Sequence, residues 1–155
     1  DLLLDMGRVQ VDIPNARSET ALQLACRKGD VNIVRRLLQA DADPDRRDAN
    51  GLSPFLSAVF TGAKEETLEL LVSAQANVSM QDDRGVGALH FASLRGDTYL
   101  QRWLLQHKAE IDSQTEHRTT PLMIASKRGL ADTVSLFLDN RANTALTDEA
   151  GCTAL

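Results

Sequence analysis

Asp82-Asp83-Arg84-Gly85-Val86-Gly87-Ala88-Leu89-His90-Phe91-Ala92-Ser93-Leu94-Arg95-Gly96 is the stretch on which the fold turns. Its opening Asp-Asp-Arg-Gly is turn chemistry: the carboxylates bond nearby amides, and Gly85 accepts a positive φ. Gly87 stands at a helix start, where a hydroxyl would cap the first turn. Ala88 to Arg95 predicts a short helix with Leu89 and Ala92 inward, Phe91 being a further inward candidate. Gly96 stops that helix. Beyond it, Asp97 to His107 carries Leu100, Trp103, Leu104 and Leu105 at helical spacing, which predicts a longer second helix. Lys108 to Asp112 then leads into the next turn.

This turn–helix–glycine–helix unit recurs along the chain. Thr20-Ala21-Leu22, Ser53-Pro54-Phe55, Gly87-Ala88-Leu89, Thr120-Pro121-Leu122 and Thr153-Ala154-Leu155 place their apolar member at intervals of 33, 34, 33 and 33 residues. Gly29, Gly62, Gly96 and Gly129 keep the same time, and so do Ala42, Ala76, Ala109 and Ala142. A phase-locked period of this length predicts stacked helical units sharing a core along an axis. Such an array presents a surface rather than enclosing a pocket.

Bulk properties narrow the function classes. The 155 residues are 43% hydrophobic but only 4% aromatic, which suits close-set helices packed through Leu, Ile, Val and Ala. A net charge of −5 argues against a general nucleic-acid binder, which needs a basic face. Cys26 and Cys152 lack metal-type spacing and are too few for a disulfide framework, which predicts a reducing compartment. The apolar runs fall well short of the roughly 20 residues that span a bilayer. The expected location is therefore cytoplasmic, with the nucleus as the alternative. No signal peptide is visible, and the first residue is Asp.

The motif strings add a specific resemblance. Leu22 to Ala25, Ser53 to Ala58, Ala88 to Ala92 and Thr120 to Ala125 look like degraded copies of the ankyrin Thr-Pro-Leu-His-x-Ala signature. Ile33 to Leu38, Leu68 to Val72, Leu100 to Leu105 and Thr133 to Leu138 resemble the family's second helix. The resemblance covers almost the whole chain. It implies an all-α ankyrin-repeat solenoid of helix-turn-helix units with β-hairpin-like loops, forming a single domain over 1–155. Four full repeats are expected at 15–47, 48–81, 82–114 and 115–147. Partial repeats are expected at 1–14, where Leu2 to Gly7 resembles the end of a second helix, and at 148–155, so that the chain reads as a fragment of a longer array.

Departures from the pattern carry expectations of their own. Ser18 and Arg118 replace the usual turn glycine, which predicts tighter or less regular hairpins there. One extra residue follows Gly62 and is expected near Ala63-Lys64. Asp41, Gln75, Lys108 and Arg141 stand where second helices of the family end on glycine. Either those ends are differently shaped, or the array is less stable than a consensus one.

The resemblance also implies where a partner docks: hairpin tips and the outward side of each first helix line a concave face. Leu52, Phe60, Val86 and Leu94 are apolar at such positions, and contiguous exposed apolar area marks a contact surface. Ordinary packing under a neighbouring hairpin is the alternative for each. Arg17, Arg27, Lys28, Arg84, Arg95, Lys127 and Arg128 map to the same side, with acids such as Asp41, Asp43, Glu65, Glu66 and Asp139 expected elsewhere. Helix C-terminal cations that favour the macrodipole are the alternative there. Glu19 and His117 are expected at exposed hairpin tips. The expected partner is a protein segment with an apolar centre and acidic flanks. The sequence shows no pattern for a cofactor, a metal, nucleic acid, membrane insertion or a small-molecule substrate.

Catalysis finds little support in the residues. His90 sits at the signature position, where the family implies backbone bonding within the hairpin. His107 and His117 have no Cys or carboxylate at ligand spacing, and no phosphate loop, nucleophile elbow or paired carboxylates appear. Cys26 is expected to be an inert core thiol, Cys152 an exposed one and Trp103 a core residue. A non-enzymatic protein-binding module within an intracellular scaffold or adaptor is the reading this supports. The alternatives are a structural spacer in a longer array and a regulatory array beside a catalytic domain outside this sequence.

Overall fold

The computed structural model describes residues 10–155. The second-helix ending read at Leu2 to Gly7 lies outside the described residues. Among the described residues the chain forms eight α-helices and no strand beyond one isolated bridge between Gln81 and Gly87. The helices are α1 Ala21–Lys28, α2 Val31–Gln39, α3 Pro54–Thr61, α4 Glu65–Ser73, α5 Ala88–Arg95, α6 Thr98–Gln106, α7 Pro121–Lys127 and α8 Ala131–Asp139.

The chain divides into two compact units, one ending at Asn77 and the other beginning at Val78. In the first unit α1 packs on α3 and α2 on α4. In the second, α5 packs on α7 and α6 on α8. Each unit therefore holds two helix pairs stacked first helix on first and second on second. This is the ankyrin solenoid arrangement that the period predicts.

Local chemistry starts and stops these helices. The side chains of Thr20, Asp30, Ser53, Asp97 and Thr120 each accept a backbone N–H of the first turn. Pro54 and Pro121 occupy first-turn positions, where a missing N–H costs nothing. Gly87 offers no capping side chain. Gly96 ends α5 with φ 67° and donates its N–H to Ala92 and Ser93 carbonyls. The second helix starts two residues after Gly29, Gly96 and Gly129 but three after Gly62, so the extra residue lies in the Gly62-Ala63-Lys64 loop.

The first unit buries Leu22, Val34, Phe55, Leu56 and Leu71. The second buries Leu89, Leu104, Leu122 and Phe137. Full burial of such a side chain contributes about 1.5–3 kcal/mol. Backbone amides are tied down across the repeats as well. Asp45 Oδ1 accepts the Asn77 N–H and Asp112 Oδ1 the Asn143 N–H, both at 2.8 Å. Ser79 at the same register does the same for Glu110 at 3.3 Å.

Two expectations about the departures are corrected or decided. The Ser18 and Arg118 hairpins are not less regular. Their φ values are 60° and 58°, and their N–H groups close on Asn15 and Thr115 at 2.9 and 2.8 Å. The glycine hairpins close Gly51 on Asp48 and Gly85 on Asp82 at 3.0 Å. Second-helix ends likewise keep the left-handed shape, with φ 61°, 65°, 62° and 63° at Asp41, Gln75, Lys108 and Arg141. The shape is preserved and the backbone at these non-glycine residues is strained, at roughly 1–2 kcal/mol for each.

Candidate partner-binding surface

Each hairpin tip is built by a residue that bonds its own turn. Asp48 Oδ1 accepts from Asn50 and Leu52 N–H at 2.8 and 3.0 Å, and Asp82 Oδ1 from Arg84 and Val86 at 2.9 and 2.8 Å. Successive hairpins are then tied together within each unit. Ala49 N–H donates to the Arg17 carbonyl at 3.2 Å, and Glu116 N–H to the Arg84 carbonyl at 2.8 Å. Gly85 permits the second approach: a Cβ there would come 2.9 Å from Thr115 Cα.

His90 fixes the second unit's hairpins from below. The Gly87 N–H donates to its Nδ1 at 3.0 Å, so its Nε2 carries the proton and donates to the Thr119 carbonyl at 3.0 Å. Burial lowers its pKa from the ordinary imidazole value, with the Thr119 carbonyl pulling the other way. The ring is a structural clamp, as the signature implies. In the first unit Gln23 does the same work. Its Oε1 accepts from Thr20 N–H at 2.9 Å and its Nε2 donates to the Leu52 carbonyl at 2.6 Å. Leu56 and Met123 hold this register in the other two repeats, where Met123 offers only its sulfur to Thr120 N–H at 3.3 Å.

On this scaffold the predicted residues fall as follows. In the first unit Phe60 is 55% exposed, Arg27 and Lys28 are exposed, and Leu52 is half-buried. In the second, Leu94 is 46% exposed, Arg84, Arg95 and Arg128 are exposed, and Val86 is half-buried. Glu19 requires a correction. It is buried, because Asn15 Nδ2 donates to its carboxylate at 2.8 Å and Arg27 Nη1 meets it at 2.6 Å. The Asn15 amide, followed by Arg27, holds its carboxyl below the ordinary range. Arg27 is thus committed within the protein, and the basic side is not free of acids. Arg95 also has Asp97 at 4.0 Å.

The Glu19–Arg27 contact exposes a rule of register. Counting through the repeats, Glu19, Leu52, Val86 and Thr119 share one position, and Arg27, Phe60, Leu94 and Lys127 share the other. The hairpin position and the helix position therefore face each other across eight residues. In the second unit they border a depression of about 280 Å³, lined by Arg84, Val86, His90, Leu94, Thr115, Glu116, His117, Thr119 and Ile124. Three predicted residues, Arg84, Val86 and Leu94, meet there. His117 is exposed at its hairpin tip, as the sequence leads one to expect, whereas Ile124 was not assigned to the surface from sequence. Ile124 shares the register of Phe91, one turn before the Leu94 position, and that was the available signal. His117 at the rim has Nδ1 2.9 Å from Glu149 and Nε2 3.5 Å from Glu116.

Other reactive groups lie apart from this surface. Cys26 is fully buried, which pushes its thiol up to about 12, while Cys152 is exposed. Trp103 is buried on α6 and stacks on His107 with ring centroids 3.9 Å apart. Among the described residues, no group of three or more His, Cys, Asp and Glu is placed to hold a metal ion. No described helix is long and apolar enough to cross a membrane.

Helix pairs of one period, joined by hairpins whose tips face solvent, define a repeat array of the protein-interaction class. The chain belongs to the ankyrin repeat family: the profile described as ankyrin repeats (3 copies) matches residues 1–82 and 55–148. It is similar to the B-cell lymphoma 3 protein homolog of Mus musculus, 36% identical over 127 residues, or 81% of this chain and 28% of that protein. It is also similar to human ankyrin repeat domain-containing protein 63, 36% identical over 99 residues, 61% of this chain and 26% of that protein. Human SH3 and multiple ankyrin repeat domains protein 2 is 28% identical over 123 residues, 79% of this chain and 7% of that protein. The chain spans little more than a quarter of the length of the first two of these relatives and 7% of the third.

Proposed function

We propose that this array is a non-enzymatic binding module of an intracellular, cytoplasmic scaffold or adaptor. It holds a partner's extended or helical segment against its hairpin tips and first helices. Phe60 and Leu94 are the anchors, Leu52 and Val86 contribute their exposed parts, and Arg84, Arg95, Lys28 and Arg128 guide acidic flanks. Arg27 acts mainly by holding Glu19. One observation carries this reading: Phe60 and Leu94 stand half exposed at the position that is Arg27 and Lys127 in the outer repeats. Large apolar side chains about half in water, where the outer repeats carry cations, offer apolar area to a partner.

The test uses peptides selected from a displayed random library against the wild-type protein. Changing Phe60→Ala and Leu94→Ala together should weaken their binding more than tenfold while leaving the melting temperature within a few degrees. Unchanged affinity in a folded double variant rejects this placement of the site.

A further inference from the structure

The depression in the second unit has a chemistry of its own. Its sides are the carbons of Val86, Leu94 and Ile124. Its floor includes His90, which is neutral, fully buried and has both ring nitrogens bound to backbone. The imidazole therefore has no hydrogen bond left for an incoming polar group; Thr115 and Thr119 complete the lining beside it. The rim is polarised. On one hairpin stands Arg84, which makes no side-chain ion pair among the described residues. On the next stand Glu116 and His117, and Glu149 of the hairpin after that reaches His117 Nδ1 at 2.9 Å. In the first unit Glu19 and Arg27 fill the corresponding pair of positions and neutralise each other at 2.6 Å. Here Val86 and Leu94 leave the space apolar and unfilled.

We infer that this depression receives one large apolar side chain of a partner segment, and that the adjoining partner residue is an acid whose carboxylate meets Arg84. The inference rests on the partner-binding reading above and names the partner's chemistry at that surface. An apolar group suits the depression because Val86, Leu94 and Ile124 border it and the His90 ring has no hydrogen bond left to offer, and an unpaired buried polar group is costly. The acid lies against the Arg84 guanidinium, because the Glu116 carboxylate that lines the same depression repels it. A cationic neighbour would be repelled by Arg84 instead, so the rim selects by charge as well as by shape.

The experiment compares pools of short synthetic peptides with a fixed central leucine whose neighbour is Asp, Ser or Lys, read by fluorescence anisotropy. Wild type should favour the Asp pool over the Lys pool by about tenfold or more. Arg84→Glu should reverse that order, and Leu94→Ala should weaken the Asp and Ser pools alike. Each variant's melting curve must match wild type. If Leu94→Ala weakens binding but Arg84→Glu leaves the order unchanged, the charge assignment falls while the partner-binding surface stands. If Leu94→Ala has no effect on peptides that bind, the depression is not the site. Failure of every pool to bind, while library-selected peptides do bind, also overturns the inference.

Discussion

The first and third repeats place the same two positions face to face and fill them with opposite chemistry. Glu19 and Arg27 close on each other, buried carboxylate against half-exposed guanidinium. Val86 and Leu94 border an open depression. The backbone beneath is the same: an Asx-type turn, a clamp from Gln23 or His90, a capped or glycine-started helix and a glycine stop. The fold is thus indifferent to what occupies the pair, and the pair is where one repeat differs from another in what it offers a partner.

Grafting one repeat's pair onto the other breaks the comparison most severely. Val86→Glu with Leu94→Arg should lower peptide affinity by about tenfold to a hundredfold, since roughly 1.5–3 kcal/mol attends each fully buried side chain and these are partly buried. Its melting curve should stay close to wild type. Retained affinity would mean that the depression is incidental.

The clamps give the next largest effect. His90→Ala should destabilise the protein by about 3 kcal/mol, because it opens a cavity and strands the Gly87 N–H and Thr119 carbonyl. His90→Gln should cost far less, since Gln23 already makes both bonds at that register. Two buried groups, His90 and Glu19, also make stability depend on pH. The His90 pKa is lowered in the fold, so its neutral form contributes stability that is complete above the ordinary value of 6.5 and lost as pH falls below it. Glu19, also lowered, contributes stability present above its ordinary value of 4.5 and lost at still lower pH. Melting temperature against pH should show the upper limb vanish in His90→Gln and the lower limb in Glu19→Gln.

A smaller effect sharpens the contrast between the units' cores. Gln101 is fully buried on α6 with no hydrogen-bond partner for either amide atom, at the register of Val34 and Leu68. Gln101→Leu should therefore stabilise the protein by about 1–2 kcal/mol in urea unfolding.

The helices were legible in the sequence because their signals are local and repeated. Thr20, Ser53 and Thr120 cap at one phase, Gly29, Gly62 and Gly96 stop at another, and leucines keep the core register between them. Left-handed Ser18 and Arg118 were not legible as such. Neighbouring hairpin bonds impose that φ whatever residue stands there, so where sequence suggested tighter or less regular hairpins the structure keeps the glycine shape, with slightly shorter turn bonds and strain. Glu19 was misplaced for a similar reason: its burial depends on Arg27 and Asn15 arriving together, which neither residue announces alone. The exposure of Phe60 and Leu94 followed directly from register. Ile124 did not, because attention to the positions before each glycine left the preceding turn unassigned. Gln101 was passed over because it sits inside an otherwise apolar string.

Methyl-resolved NMR during titration with the Asp-pool peptide is the most direct test of where a partner binds. Signals of Val86, Leu94 and Ile124 should shift progressively, while those of Leu138 and Ile33, exposed on second helices, should stay in place. Shifts confined to Leu138 and Ile33, with Val86, Leu94 and Ile124 unmoved, would contradict the assignment of the binding surface to hairpins and first helices.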